Sequence, residues 1–115
     1  MLKIYHNARC GKSRCALQAL ESRQQPFEIV EYLKTPPTAA ELAHILQRMV
    51  KKPLDIVRKK EPLFVEKFAH QTLSDTAWLQ ILVENPTLIE RPIVVTENKA
   101  WIARDEEGLA QIACI

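Results

Sequence analysis

The start of the chain combines strand and helix patterns in an order that restricts the fold. Residues 2–5 alternate apolar and polar side chains, which is typical of a short strand, and residues 27–32 predict a second one. Between them, apolar residues at helical spacing predict a helix from about Cys10 to Gln24, which Pro26 ends. A β-α-β segment normally pairs its strands in parallel through a right-handed crossover. We therefore predict an α/β fold that begins with a parallel strand pair.

The middle of the chain has a helical pattern throughout. Thr38 and Glu41 have the spacing of a capping box ahead of an apolar helix face, and Ser74 is placed to cap a later helix. Pro53 suits the first turn of a shorter helix between them. We predict an all-helical insert at about residues 36–88.

The end of the chain returns to strands. Residues 93–96 and 100–103 are apolar runs on either side of a polar turn, which predicts a β-hairpin. The acidic residues 105–107 favour the start of a last helix, because negative charge is stabilised at a helix N-terminus. With 115 residues, the chain is predicted to form one domain, 1–115, in the order βαβ, helical insert, ββα.

Composition excludes several classes of function. The net charge of +2 gives little general attraction to nucleic acids or membrane surfaces, and no run approaches the roughly 18 apolar residues of a membrane span. The N-terminus lacks the pattern of a signal peptide, so we expect a cytoplasmic protein. Three cysteines argue for reduced thiols rather than a disulfide framework. The three histidines are scattered singly, and we expect no metal site.

Cys10 is the strongest candidate for a chemical role, because it lies where the first strand gives way to the first helix. The free N–H groups and the positive dipole end of a helix stabilise a thiolate there. Such a position can lower the pKa of a cysteine from about 8.5 to about 3.5–7.5. The same N–H groups can hold an oxyanion beside the sulfur. His6, Lys12 and Arg14 lie close in sequence and are expected to add positive potential.

The other two cysteines lack the spacing of a redox partner. Cys15 lies five positions beyond Cys10, whereas a redox pair at the head of a helix has two intervening residues, and position 13 is Ser13. We expect Cys15 to be a core or helix-surface residue. Cys114 could resolve an adduct on Cys10 only if the C-terminal tail reaches it.

Three arginines that follow apolar positions, Arg58, Arg91 and Arg104, are candidates for binding an anion. If the hairpin turn centres on residues 97–98, residues whose numbers sum to 195 face each other, which pairs Arg91 with Arg104. Two like charges placed directly opposite repel each other unless an anion lies between them. Guanidinium groups suit tetrahedral oxyanions because they donate two hydrogen bonds in fixed geometry.

Together these features resemble the ArsC family of glutaredoxin-coupled arsenate reductases. Residues 6–14, HNARCGKSR, are similar to that family's His-Asn-x-x-Cys-x-x-Ser-Arg signature. Residues 32–42, YLKTPPTAAEL, and residues 85–95, NPTLIERPIVV, follow in the family's order, and residues 54–58 resemble the segment that holds its first anion-binding arginine. Lys12 departs from the threonine of the best-studied arsenate reductases. The likeness covers nearly the whole chain.

The resemblance implies a thioredoxin-like fold with a helical insert, and a chemistry centred on a cysteine. In the family, the thiolate attacks arsenate, glutathione attacks the resulting thio-arsenate ester, and glutaredoxin resolves the mixed disulfide as arsenite leaves. Glutathione is then a co-substrate, and no bound cofactor is implied. The implied site comprises the nucleophile Cys10, the oxyanion ligands Arg58, Arg91, Arg104, Gly11, Lys12 and Ser13, and the supporting residues His6, Asn7, Arg14 and the cis-proline Pro92.

Three other functions fit parts of the pattern. A transcriptional regulator of the Spx kind shares this fold and binds RNA polymerase, but Ser13 removes its Cys-x-x-Cys switch. A monothiol glutaredoxin-like carrier fits residues 10–13, which read Cys-Gly-x-Ser, although the helical insert does not suit that smaller fold. A scaffold that has kept the fold and lost turnover is the third alternative.

Overall fold

The computed structural model describes residues 2–115, and their secondary structure follows the predicted order. The strands are β1 (Lys3–His6), β2 (Glu28–Glu31), β3 (Ile93–Val95) and β4 (Ala100–Ile102). The α-helices are α1 (Gly11–Glu21), α2 (Ala39–Met49), α3 (Pro62–Lys67), α4 (Asp75–Glu84) and α5 (Glu106–Ala113). Short 3-10 helices occupy Pro53–Ile56 and Pro86–Leu88.

The strands form one mixed sheet in the order β2-β1-β3-β4. β1 and β2 are parallel, with Ile4 opposite Ile29, which confirms the predicted β-α-β unit. β3 pairs antiparallel with both β1 and β4. Ile93 lies opposite Ile102, so the hairpin has the predicted register in which paired residue numbers sum to 195.

The sheet and two helices form one compact unit, which consists of the segment ending at Thr35 together with Arg91–Ile115. Each fully buried aliphatic side chain contributes about 1.5–3 kcal/mol to folding. Apolar residues from α1, α5 and the sheet share this core: Ile4, Ala16, Leu20, Val94, Ala103 and Ile112. Burial of the strand residues in this set fixes the sheet register, because a slip of one residue would turn their side chains to the other face of the sheet.

Pro36–Glu90 forms a second compact unit, built from α2, α3, α4 and the 3-10 helices. The capping box at its start is confirmed, since Glu41 N–H donates to the Thr38 hydroxyl and Glu41 accepts from Thr38 N–H. The Ser74 side chain likewise caps α4 by accepting from the N–H of Ala77. These bounds are close to those of the predicted insert, and the assignment of residues 1–115 to a single domain stays a prediction.

Helix α1 ends three residues before the predicted boundary, at Glu21. Both the N–H and the hydroxyl of Ser22 donate to the carbonyl oxygen of Gln18, which closes the last turn. Gln24 then adopts a left-handed backbone conformation with φ of 57°. The chain therefore leaves the helix through a local turn rather than at Pro26.

Candidate active site around Cys10

Cys10 is the N-cap residue of α1, and its side chain is buried. The Cys10 N–H donates to the carbonyl oxygen of Asn7 at 3.0 Å, and the Arg9 N–H donates to the Asn7 side-chain oxygen at 3.0 Å. Asn7 therefore shapes the tight loop between β1 and α1. The Cys10 side chain accepts no hydrogen bond that caps the helix, which leaves the N–H groups of the first turn available to the sulfur or to an anion.

The environment of Cys10 lowers the pKa of its thiol from an ordinary 9.0 to about 7. Burial acts in the opposite direction and is the largest single influence on this pKa. It is outweighed by the backbone N–H of Ser13, by the hydrogen bond and charge of Arg91, and by the backbone N–H of Lys12. A pKa of about 7 makes roughly half of the cysteine a thiolate at neutral pH, which is the nucleophilic form.

The hairpin brings both of its arginines to the cysteine. Arg104 Nη1 lies 3.8 Å from the Cys10 sulfur and donates to the Arg91 carbonyl oxygen at 3.3 Å. A bond of 2.9 Å from the Ala103 N–H to the Pro92 carbonyl oxygen continues the ladder, so that Arg91 comes opposite Arg104 as predicted. The Arg91–Pro92 peptide bond is cis, as the resemblance implied.

Arg91 keeps one donor unused within residues 2–115. Its Nε is buried and has no hydrogen-bond partner among them. A buried guanidinium N–H normally has a partner, because leaving it unpaired costs free energy. An oxyanion beside the Cys10 sulfur would supply an acceptor for it. The arginine pair therefore has the chemistry of an anion-binding site.

Ser13 and His6 form a buried polar pair under the loop. The Ser13 oxygen lies 2.7 Å from His6 Nδ1 and accepts from the N–H of Asn7 at 3.0 Å. Burial lowers the pKa of His6, although the Glu31 charge and the Ser13 hydrogen bond raise it and Arg14 lowers it further. The lowered pKa favours neutral His6 at pH 7, and the tautomer of the ring decides whether Nδ1 donates to the Ser13 hydroxyl oxygen or accepts from it. The expectation that His6 adds positive potential is wrong, because desolvation disfavours its charged form.

Arg14 points back toward the loop, where its Nη1 donates to the carbonyl oxygen of Ala8 at 3.0 Å. This contact stiffens the segment that precedes Cys10. Arg14 also lines the cleft beside α1, and its expected contribution to the positive potential around Cys10 stays a prediction.

Arg58 belongs to the second unit, and its partners there are two carboxylates. Its Nη1 lies 2.9 Å from Glu61 Oε2, and its Nε lies 3.8 Å from Glu90 Oε1. Its Nη1 also donates to the carbonyl oxygen of Thr87 at 3.4 Å. The carboxylates compete with any external anion for this guanidinium, and the predicted anion-binding role of Arg58 stays a prediction.

An open cleft of about 510 Å³ runs from Cys10 along α1. Its lining residues are Cys10, Gly11, Lys12, Arg14, Cys15, Gln18 and Arg104. Cys15 is exposed on the helix surface, which was one of its two predicted locations. Cys15 and Gln18 also line the cleft, which was not predicted. The signal was present, since residues 11, 15 and 18 have the i, i+4, i+7 spacing of one helix face.

Residues 2–115 contain neither a metal-ligand cluster nor a membrane-spanning helix. No group of three or more histidine, cysteine or acidic side chains is placed to hold a metal ion. None of the helices described is long and apolar enough to cross a membrane.

Comparison with known proteins relates the chain to one family. A sequence model of the ArsC family matches residues 5–112. Over 113 residues the chain is 42% identical to the uncharacterised Escherichia coli protein YfgD, covering 96% of this chain and 95% of that one. It is 37% identical over 113 residues to an arsenate reductase of Neisseria meningitidis, covering 96% and 97%. The structure of an arsenate reductase from Vibrio cholerae superposes with a TM-score of 0.88 at 36% identity, covering 96% of each chain.

Proposed function

The chain belongs to the ArsC family, and from that premise we propose that it is an arsenate reductase whose nucleophile is the Cys10 thiolate. One observation carries the proposal: a cysteine whose pKa is about 7 lies at a helix N-terminus beside two arginines. This arrangement combines a nucleophile that is active at neutral pH with donors for a tetrahedral anion.

In the first step, the arginines hold arsenate beside the sulfur. Arg91 Nε and the Arg104 guanidinium donate to the arsenate oxygens, and the N–H groups of Lys12 and Ser13 support the sulfur. The Cys10 thiolate attacks arsenic, a sulfur–arsenic bond forms, and one arsenate oxygen takes up protons and leaves as water. The product is a thio-arsenate ester on Cys10.

In the second step, two electrons pass from sulfur to arsenic. The thiolate of glutathione attacks the ester, arsenite leaves, and Cys10 and glutathione remain joined as a mixed disulfide. Glutaredoxin then attacks this disulfide at the glutathione sulfur and releases the Cys10 thiolate. The oxidising equivalents of arsenate thus end as a disulfide in the thiol pool. No bound cofactor takes part in this sequence.

Ser13, His6 and Asn7 act as positioning residues in the proposal. Their hydrogen bonds hold the loop so that the first-turn N–H groups of α1 point at the sulfur. Neutral His6 leaves the stabilisation of the thiolate to Arg91 and the helix N–H groups. The family resemblance also implies an oxyanion-binding role for Arg58, in addition to Arg91 and Arg104.

The test is arsenate-dependent oxidation of NADPH, coupled through glutathione, glutaredoxin and glutathione reductase. The natural chain and Cys114→Ser are expected to turn over, whereas Cys10→Ser is expected to be inactive. Cys114 is a matched control because it is exposed and lines a different cleft. If the natural chain does not turn over arsenate while Cys10 still reacts rapidly with iodoacetamide at pH 6, Cys10 is a reactive nucleophile and arsenate is the wrong substrate.

A further inference from the structure

We infer that the cleft beside α1 binds the thiol co-substrate through its carboxylate, with Lys12 as the cationic partner. This inference rests on the proposed function, since it concerns the thiol that attacks the Cys10 adduct. It assigns Lys12 to the co-substrate rather than to the oxyanion, and it assigns the exposed face of α1 to the body of the thiol.

The shape of the cleft favours an elongated ligand. Gly11, Cys15 and Gln18 follow one another along a single face of α1, so the cleft extends about two helical turns away from the sulfur. Clefts of about 300–1,000 Å³ accommodate organic ligands, and this one measures about 510 Å³. A tetrahedral oxyanion is the size of a few water molecules of about 30 Å³ each, so it fills only the end beside Cys10.

The positions of the other two cysteines favour a second thiol from outside the chain. Five residues of helix separate the Cα atoms of Cys10 and Cys15 by roughly 8.6 Å, calculated from helix geometry. A disulfide requires Cα atoms no more than about 7 Å apart, so Cys15 cannot bond to Cys10 without unwinding α1. Cys114 lines another cleft, with Trp101 and Lys99. A small thiol from solution is limited neither by the geometry of α1 nor by the position of Cys114.

The charges of the cleft favour a thiol that carries carboxylates. Its lining residues include Lys12, Arg14 and Arg104 and no acidic side chain. The two arginines already donate to carbonyl oxygens, of Ala8 and Arg91 respectively.

Lys12 is the cation that is free for this role. It is exposed and forms no ion pair with any residue in the described range 2–115. Lys12 lowers the pKa of Cys10 through its backbone N–H, whereas the side-chain charge that lowers this pKa is that of Arg91. The Lys12 ammonium group therefore remains available to a ligand carboxylate.

The test uses disulfide exchange, which needs no arsenate. The Cys10 thiolate attacks glutathione disulfide, the old S–S bond breaks, a Cys10–glutathione disulfide forms, and one glutathione thiolate leaves. Hydroxyethyl disulfide undergoes the same reaction without carboxylates. Second-order rate constants for both reagents, measured by mass spectrometry at low ionic strength, separate a charge effect from a change in the reactivity of Cys10.

Lys12→Gln is expected to slow the reaction with glutathione disulfide by up to about fivefold, the upper end for one exposed ion pair, and to leave hydroxyethyl disulfide unaffected. Gln18→Glu, which adds a negative charge at the far end of the cleft, is expected to act in the same direction. Added salt should abolish both effects. Lys99→Gln is the control, because it removes the same charge from a lysine outside this cleft.

An equal effect of Lys12→Gln on both disulfides, or no effect on either, would overturn the inference. Such a result would say nothing about arsenate turnover, which the coupled NADPH assay tests separately. Conversely, a chain that fails to reduce arsenate but shows the charge-selective loss keeps the thiol cleft and loses only the proposed oxyanion.

Discussion

Opposing influences set the reactivity of Cys10 at the scale of single residues. Burial favours the neutral thiol, and the charge of Arg91 together with two backbone N–H groups favours the thiolate. The net result is a pKa of about 7, so the thiolate population changes most steeply around neutral pH. The backbone N–H groups of Ser13 and Lys12 are the part of this balance that side-chain substitution cannot remove. The hydrogen bond and charge of the Arg91 side chain are the part that a substitution can remove.

Arg91→Gln is expected to raise the pKa of Cys10 above 7, because it removes both a donor and a positive charge. The rate of iodoacetamide alkylation of Cys10 rises with pH through about 7 in the natural chain, and the midpoint should move to higher pH in the variant. Arg9→Gln removes the same charge from an exposed residue next to Cys10 and should leave the midpoint unchanged. A midpoint unmoved in Arg91→Gln would show that the helix N–H groups suffice.

The residues that surround Cys10 could be predicted from the sequence, but not the charge state and partners of each. Counting residues outward from the hairpin turn places Arg91 opposite Arg104, because each residue of one strand faces one residue of the other. The neutrality of His6 depends on burial under the loop and on Ser13, which no spacing in the sequence displays. Of the two carboxylates at Arg58, Glu61 lies only three residues along the chain, whereas Glu90 reaches it from a distant segment that no local spacing displays.

The end of α2 stores strain at the scale of an element. Val50 has φ of 57° and ψ of 46°, a left-handed conformation that is unfavourable for a β-branched residue. The conformation closes the helix, since Lys51 N–H donates to the Leu46 carbonyl oxygen. The Val50 side chain is 87% exposed and gains little from packing.

Val50→Gly is therefore expected to raise the free energy of unfolding by about 1 kcal/mol, because glycine adopts this conformation without strain. Urea denaturation measures the change. Val65→Gly is the matched control, since Val65 is also an exposed valine but lies inside α3, where glycine is unfavourable. The two substitutions should have opposite signs, and a loss of stability in both would contradict the strain argument.

The two glycines of the chain differ in what surrounds them. A Cβ at Gly108 would lie 2.6 Å from the carbonyl oxygen of Ile102 and 2.9 Å from the Cα of Ala103, both backbone atoms. A Cβ at Gly11 would meet only Arg14 Nη2, at 3.7 Å. Gly108 thus allows α5 to pack against the end of β4, the strand that precedes Arg104.

Gly108→Ala is expected to destabilise the fold by about 1–3 kcal/mol, the usual range for overpacking against atoms that cannot move aside. Gly11→Ala should leave stability within about 1 kcal/mol of the natural chain, because the methyl group meets no backbone. Thermal unfolding of the two variants measures the contrast. Equal losses of stability in the two variants would mean that α5 and β4 can move apart to accommodate the added methyl group.

Element order was predictable because periodicity and caps are local signals. Thr38, Glu41 and Ser74 make the caps that their spacing predicted. Boundaries were less predictable, since α1 ends where Ser22 bonds back to Gln18 rather than at the proline. The position of β3 beside β1 is a long-range pairing that buries Val94 against Ile4, and no short pattern encodes it.

At the scale of the whole molecule, the cysteine site is assembled from both ends of the chain. The loop and helix of residues 6–14 come from the start, and the arginines come from the hairpin of residues 91–104, with the helical unit between them in sequence. Anion binding should therefore report on the folded state of the unit that contains both segments, since neither segment holds the site alone.

Arsenate at about 100 times its Kd is expected to stabilise the folded protein by about 2.7 kcal/mol and to raise the Tm by about 10 °C. Arg104→Gln should lose most of this increase, because it removes a donor beside the sulfur. Chloride at matched ionic strength is the control for nonspecific salt effects. An equal rise of Tm in the variant and the natural chain would place the anion elsewhere.

The uncapped start of α1 has a consequence for protein engineering. Serine is a favoured N-cap, and its hydroxyl accepts more strongly than a thiol from the first-turn N–H groups that face the Cys10 side chain. At pH 6, Cys10→Ser should therefore be the more stable protein by about 1 kcal/mol while it lacks the nucleophile. The cysteine thus starts a less well capped helix and leaves the first-turn N–H groups to a thiolate or an anion. The inactivity expected of Cys10→Ser would follow from the missing thiol in an intact fold rather than from unfolding.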